Sequence, residues 1–221
     1  MTRPQSASEA FVASLPDATR ARFEPVFSPL VEIVPLPLTV TINAHDSAVF
    51  SSANGVRAAP DGQGRIAYCI GSATTKVAQD RGWDARQMGT DADGLVKNLR
   101  SVAPENNLLH LSGVHTRGDV AGRLAKAGLN IKNIAVYDQR LCPLTPEASQ
   151  IIATAAQVVV PLFSPRTAAQ FLKVTPNTAS VHAVALSAAI AAVLPADALA
   201  SLTIATHPDA QSMGAALSHV A

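Results

Sequence analysis

Two stretches of this chain write nearly the same chemistry. AVFSSANGVRAA (48–59) and VVVPLFSPRTAAQFL (158–172) each run an apolar segment into small hydroxyl residues and then at once into a helix-forming segment. A strand that turns directly into a helix leaves several backbone N–H groups unpaired beyond the strand end, where they suit an anion. Ser51, Ser52 and Asn54 stand at the first of these corners, and Ser164, Arg166 and Thr167 at the second. Two further small-residue corners follow, with Gly71, Ser72, Thr74 and Thr75 in CIGSATTKVA and Ser187 in VALSAAIAA. Hydrogen bonding to oxyanions is the chemistry such corners predict, and each hydroxyl equally suits plain helix capping. Arg166 stands apart: with Lys173 it is the only Lys or Arg after Arg140. A cation at a helix start is disfavoured by roughly 0.3–1 kcal/mol unless an anion compensates it.

Better-known chemistries are missing from the sequence. Cys69 and Cys142 form no CxxC pair, so neither a disulfide framework nor a zinc ribbon is expected, and both read as buried, inert thiols. His45, His110, His115, His182, His207 and His219 never fall at i, i+4 spacing and have no acidic cluster with them, so no metal is expected. Neither G-x-G-x-x-G nor G-x-x-x-x-G-K-[ST] occurs, which argues against a dinucleotide or a nucleoside triphosphate.

The elements that must position these corners follow from hydrophobic spacing. Strand-like runs at SAVFSS, RIAYCIG, NLLHLSG, NIAVYDQ, QVVVPLFS and SVHAVAL alternate with helical spacing in TTKVAQDRGW, DVAGRLAKAG, RTAAQFLKV and AAIAAVL. Such alternation predicts an α/β fold with parallel sheets covered on both faces, whose ligands bind beyond the carboxyl ends of the strands. The 221 residues, 48% hydrophobic and 15% charged with a formal net charge of +1, suffice for one large or two smaller domains. The opening MTRPQSASEAFVASL has no basic segment leading into an apolar run, and no window approaches 18 apolar residues, so the expectation is a cytoplasmic protein.

An internal echo sharpens the domain reading. Ser52 is followed by the Gly71 corner and then by TDADGLVKNL from Thr90; Ser164 is followed by the Ala185 corner and then by HPDAQSMGAAL from His207. Each half writes strand, Ser corner, helix, strand, small-residue corner, helix, then Asp-Ala before a last helix. Between the halves lie SPLVEIVPLPLTV from Ser28 and NIAVYDQRLCPL from Asn133. Their prolines forbid long helices and their Val/Ile/Leu content favours strands, so they read as paired linkers. One domain is then discontinuous, residues 1–36 with 140–221, and residues 37–139 form an inserted α/β domain.

TRP near the start, SPLVEI, VFSSANGV, CIGSATTKVAQDRGW, LSGVHTRGDVAGRLAKAGLNI, AVYDQRL and LFSPRTAAQFL, in that order along nearly the whole chain, resemble the uroporphyrinogen-III synthase family. The resemblance implies two Rossmann-like (flavodoxin-like) parallel-sheet domains joined by a two-stranded antiparallel linker. It also implies a hydro-lyase without cofactor or metal that closes the linear tetrapyrrole hydroxymethylbilane to uroporphyrinogen III, inverting ring D and losing water. The implied partner is that small molecule alone, with neither nucleic acid nor membrane, and the implied enzyme is a cytoplasmic monomer.

The same resemblance gives the corners their ligand. The substrate carries eight carboxylates, which Ser51, Ser52, Asn54, Gly71, Ser72, Thr74, Thr75, Ser164, Arg166, Thr167 and Ser187 would bind. Tyr137 matches the Tyr of the family's VY motif and is the expected proton donor to the departing ring A hydroxyl, a packing role for it remaining open. Arg57, Lys76 and Arg117 read as surface charges. Residues 39–137 hold 11 Lys/Arg against 8 Asp/Glu, and the remainder 6 against 8, so the inserted domain is the more basic. The chain departs from the family pattern twice: the apolar run expected before TRP is reduced to Met1, and the second small corner reads Ala185-Leu186-Ser187-Ala188, without a hydroxyl at Ala188. A non-catalytic two-lobed cytoplasmic protein binding a tetrapyrrole or other small anion is the alternative.

Overall fold

Apolar strands that end in hydroxyl-rich turns recur through the computed structural model, which describes residues 1–116 and 118–220. The chain opens with helices α1 (Gln5–Ser14) and α2 (Asp17–Arg20) before strand β1 (Val31–Pro35). Then follow β2 (Ser47–Phe50), α3 (Ala53–Ala58), β3 (Ile66–Cys69), α4 (Ser72–Asp80), β4 (Asp84–Gln87), α5 (Ala92–Val102), β5 (Leu108–Gly113), α6 (Val120–Lys126) and β6 (Ile131–Leu141). The rest is α7 (Pro146–Thr154), β7 (Val158–Leu162), α8 (Pro165–Val174), β8 (Val181–Ala185), α9 (Ala188–Ala191), β9 (Ser201–Ile204) and α10 (Ala210–Ser218). Two units result, Ile33–Gln139 and Met1–Glu32 with Arg140–Ala221.

In the unit of Ile33–Gln139 the strands run in the order β1-β6-β5-β2-β3-β4, and β4, β3, β2, β5 and β6 are mutually parallel. Parallel strands are covered on both faces, so they read as continuous apolar runs, and every residue of β2 and of β5 is buried. Alternation then sorts side chains by face. Phe50, Leu111, Val136 and Tyr137 pack with Trp83 on one side, the ring of Phe50 edge-on to that of Trp83. Val49, Tyr68 and Leu108 pack on the other with Leu95 and Leu99 of α5 and Leu124 of α6. Each such side chain contributes about 1.5–3 kcal/mol by leaving water. Leu36 N–H donates to Val136 and Cys142 N–H to Leu30, so the chain around β1 runs opposite to β6.

The other unit holds a parallel three-stranded sheet in the order β7-β8-β9. One face of that sheet packs Leu162, Phe171, Val181, Ala183 and Ile190, and the other Phe11, Val184, Met213 and Leu217. The expected helix over AAIAAVL stops at Ala191, because Pro195 forbids its continuation. The helix of TTKVAQDRGW ends at Asp80, with Gly82 at φ 73° turning the chain toward Trp83. Of SPLVEIVPLPLTV only Val31–Pro35 is strand. Sequence spacing also passes over β4, an edge strand of sequence DARQ in which Ala85 alone is buried.

Candidate active site

Three strand ends of the Ile33–Gln139 unit meet at the carboxyl edge of its sheet. After β2, Ser52 takes an extended backbone and caps α3, its Oγ accepting from Asn54 N–H at 3.1 Å. Ser51 and Asn54 stand half-buried on either side of it. A bulge at Ser112/Gly113 shifts the β5–β6 register so that Gly113 faces Tyr137. The Tyr137 ring lies directly on that glycine, where a Cβ would come within 2.7 Å of Cζ. Only 5% of Tyr137 is exposed, and its hydroxyl interacts with the Ser52 side chain. Burial raises its pKa and Ser52 opposes the rise, so the phenol keeps its proton and is a donor at neutral pH. Tyr137 thus belongs both to the packed core and to the Ser52 corner.

The next corner is built differently. Gly71 adopts φ 75° and caps α4 without a side chain, a backbone form that glycine reaches without strain. Thr74 and Thr75 are buried, and the Thr75 hydroxyl donates to the Gly71 carbonyl at 2.9 Å. Ser72 alone presents an exposed hydroxyl here. Arg57 and Lys76 are exposed; Arg57 reaches Asn54 Oδ1 at 3.4 Å and Lys76 pairs with Asp80 at 3.3 Å. Arg117 lies outside the described residues.

In the other unit Ser164 caps α8, accepting from Thr167 N–H at 3.1 Å and sharing a 2.8 Å hydroxyl–hydroxyl bond with the buried Thr167. Arg166 follows Pro165 in the first turn of α8 and is half-buried. Ser187 caps α9 without a side-chain bond, beside a fully buried Ala185 and an exposed Ala188. The structure therefore brings Ser51, Ser52, Asn54, Gly71, Ser72 and Tyr137 to one sheet edge. Ser164, Arg166, Thr167 and Ser187 lie at the carboxyl ends of β7 and β8 in the other unit.

A polar cluster that the sequence reading overlooked sits beneath the first corner. His110, 2% exposed, places Nε2 3.0 Å from Ser51 Oγ. Its register partner on β6 is Asn133, whose Oδ1 accepts from Ser112 Oγ at 2.9 Å. Burial pushes the His110 ring down to about 4, and the side chain of Asn133 opposes that shift. The signal was available: LLHLSG puts polar residues at alternate positions of a run otherwise apolar on both faces, and buried polar groups need partners.

The remaining reactive groups contribute less. Burial pushes the Cys69 thiol up to about 11, leaving it unreactive. Among the described residues no group of three or more His, Cys, Asp or Glu could hold a metal ion. A cavity of about 540 Å³ lies along β7, beside α7 and the segment that precedes β1, lined largely by apolar groups such as Phe23, Ile152, Val158 and Phe171. None of the corner residues lines it.

Comparison with known proteins agrees with this architecture. The family model of uroporphyrinogen-III synthase HemD matches residues 14–215. No curated protein sequence matches the chain. Among solved structures, uroporphyrinogen-III synthetase from Helicobacter pylori 26695 superposes with a TM-score of 0.68 at 18% identity, covering 83% of this chain and 87% of that one. A mutant uroporphyrinogen III synthase from the extremely thermophilic bacterium Thermus thermophilus gives 0.50 at 15% identity, with 96% of each chain covered. At those identities the structures speak for the fold, a mixed α/β architecture with parallel sheets, while the match over most of the sequence speaks for descent. The chain belongs to the uroporphyrinogen-III synthase family, lyases of tetrapyrrole biosynthesis that close hydroxymethylbilane to uroporphyrinogen III.

Proposed function

We propose that the carboxyl edges of the two sheets are where this chain receives the carboxylates of hydroxymethylbilane. Ser51, Ser52 and Asn54 offer hydroxyl, amide and N–H donors at the β2 corner, and Ser72 offers them at the Gly71 corner. Thr74 contributes through its first-turn N–H, and Thr75 by holding the Gly71 carbonyl. In the other unit Ser164, Arg166, Thr167 and Ser187 take the same part. Recognition mainly by neutral donors, with Arg166 the one cation among them, suits a chain of formal charge +1 facing a polyanion. The units correspond in this reading to two Rossmann-like domains joined through β1 and β6, and the protein works as a cytoplasmic monomer without nucleic acid. Its near-neutral charge supports that last point, and among the described residues no helix is long and apolar enough to cross a membrane.

The observation that carries the catalytic assignment is the Tyr137 phenol, buried on Gly113 beside the β2 corner and kept protonated by that burial. Loss of water from ring A breaks a C–O bond and needs a proton on the departing oxygen. Tyr137 supplies it, and the proton released as the macrocycle closes restores the phenol. The electrophile is intrinsically reactive once formed, so the remaining task is orientation: holding rings A and D in one cyclising geometry. Separation of the porphyrin isomers after incubation with hydroxymethylbilane and oxidation tests the reading. Type III is the expected product; type I alone, as forms without enzyme, refutes it.

A further inference from the structure

Beyond the bulge, β5 and β6 bring a second pair of groups to the edge that holds Tyr137, and the role drawn for them rests on the assignment of that phenol above. Val114 N–H donates to the Tyr137 carbonyl at 3.0 Å, keeping the chain after β5 alongside β6. The His115 ring thereby meets Asp138, with Nε2 3.6 Å from Oδ1 and both side chains nearly half exposed. That carboxylate is itself fixed, Oδ1 accepting from Gln139 N–H at 2.7 Å. The separation is an ion-pair distance rather than a hydrogen bond, and there a carboxylate offsets the charge of an imidazole that takes up a proton. With Nε2 turned to Asp138, Nδ1 is the nitrogen left to meet a substrate. Gly113 stands two residues before His115, and a Cβ on it would lie 3.0 Å from the Tyr137 hydroxyl. Two residues of chain span at most about 7 Å, so phenol and imidazole share a stretch of edge on the order of 10 Å long. A departing oxygen and the pyrrole N–H of the same ring, each with its own hydrogen bond, span about 9 Å. Both groups belong to the Ile33–Gln139 unit.

We propose that His115 is a second catalytic residue, the base that takes the ring A pyrrole N–H proton as water leaves, with Asp138 positioning it. Tyr137 gives its phenolic proton to the departing oxygen, and the C–O electron pair leaves with that oxygen. The N–H bond electrons become the new double bond of a neutral azafulvene as the proton passes to His115. When the ring D carbon attacks the exocyclic methylene, the electron pair returns to the ring A nitrogen and His115 gives its proton back. The Tyr137 phenolate takes the proton lost at the final ring closure. One water leaves, and both groups are restored. Between the two transfers, Asp138 balances the imidazolium.

Steady-state kinetics with hydroxymethylbilane, with separation of the porphyrin isomers, tests this on His115→Gln, Asp138→Asn, the two combined, Tyr137→Phe and His115→Gly. His115→Gln is expected to lower kcat by about 10²-fold, the low end for a general base, with KM changed far less and type III still the product. Asp138→Asn is expected to lower kcat by about tenfold and to add nothing once His115 is Gln. In His115→Gly, free imidazole added to the assay is expected to restore kcat at least about tenfold with saturation, a response that lost packing does not give. Both side chains are exposed enough that the Trp83 urea midpoint should stay at the parent value in every His115 and Asp138 variant. Unchanged kcat in His115→Gln, or a loss in His115→Gly that imidazole leaves untouched, overturns the proposal. If Tyr137→Phe loses turnover while His115→Gln keeps it, this proposal falls and the Tyr137 site stands. If the parent protein yields type I alone, the site itself falls and this proposal with it.

Discussion

Acidifying the protein draws on its stability through His110, whose charged form the folded sheet disfavours. The ring titrates near 6.5 in the open chain and near 4 when folded, so between those values the unfolded state binds a proton that the native state refuses. Stability is therefore complete above about pH 6.5 and falls as pH drops toward 4. The full gap corresponds to about 3 kcal/mol, of which about 2–3 kcal/mol is lost between pH 7 and pH 4.5. Trp83, the one tryptophan of the chain, is buried against Phe50 in the same unit, so its fluorescence in urea reports that unit's unfolding. A loss of this size moves the urea midpoint by about 1–2 M. The Asp46 carboxylate, held low by the Asn43 backbone N–H and by Asn107, also costs stability in acid, mainly at the bottom of the window. It does so equally in His110→Gln, so the difference between the two proteins isolates the imidazole. Midpoints of parent and His110→Gln that fall in parallel from pH 7 to pH 4.5 refute the reasoning.

The other expected outcomes concern the site itself. Tyr137→Phe keeps the ring on Gly113 and removes only the donor, so turnover should fall by up to about 10²-fold with the Trp83 urea midpoint unchanged; Tyr137→Ala opens a cavity and should cost on the order of 3–5 kcal/mol in the same assay. Gly113→Ala drives a methyl into the Tyr137 ring and should cost about 1–3 kcal/mol together with turnover, whereas a silent substitution would mean that the ring moves aside freely. Arg166→Ala should raise KM for hydroxymethylbilane with kcat changed far less; an unchanged KM removes Arg166 from the substrate site.

What could be read from the residues followed the apolar pattern. Runs such as SAVFSS and QVVVPLFS carry both their strand and its terminating Ser, because a buried parallel strand must be continuously apolar and its end must cap a helix. The echo between halves was legible for the same reason, down to Asp91 and Asp209, which cap α5 and α10 through Gly94 and Ser212 N–H groups. Strand β4 escaped notice because an edge strand with one buried residue has no apolar run to betray it. Thr74 and Thr75 could be assigned to a corner by position, but the inward rotation of their side chains depends on helix phase against the sheet. The pairing of Ser51 with His110 lies across 59 residues and is set by the β2–β5 register, which no local pattern contains.

If the corners receive carboxylates as proposed, the order of caps along each sheet governs where an anion can rest. After β2, β3 and β4 the caps are Ser52, Gly71 and Asp91; after β7, β8 and β9 they are Ser164, Ser187 and Asp209. Twice, then, two uncharged corners are followed by an acidic one. An Asp cap satisfies its own helix start and turns away other anions, so on the proposed reading each row of three corners is open to a carboxylate at its first two and fenced at the third, and in the larger sheet Asp119, capping α6 after β5, fences the other side of the β2 corner as well. Zoning of this kind selects by contact rather than by long-range attraction, because neutral donors act over a hydrogen-bond length, well inside the roughly 8 Å over which salt screens charge at physiological ionic strength. A flexible polyanion sliding along such an edge has places to stop and a place it must not go, which restricts the conformations open to it before any bond is made.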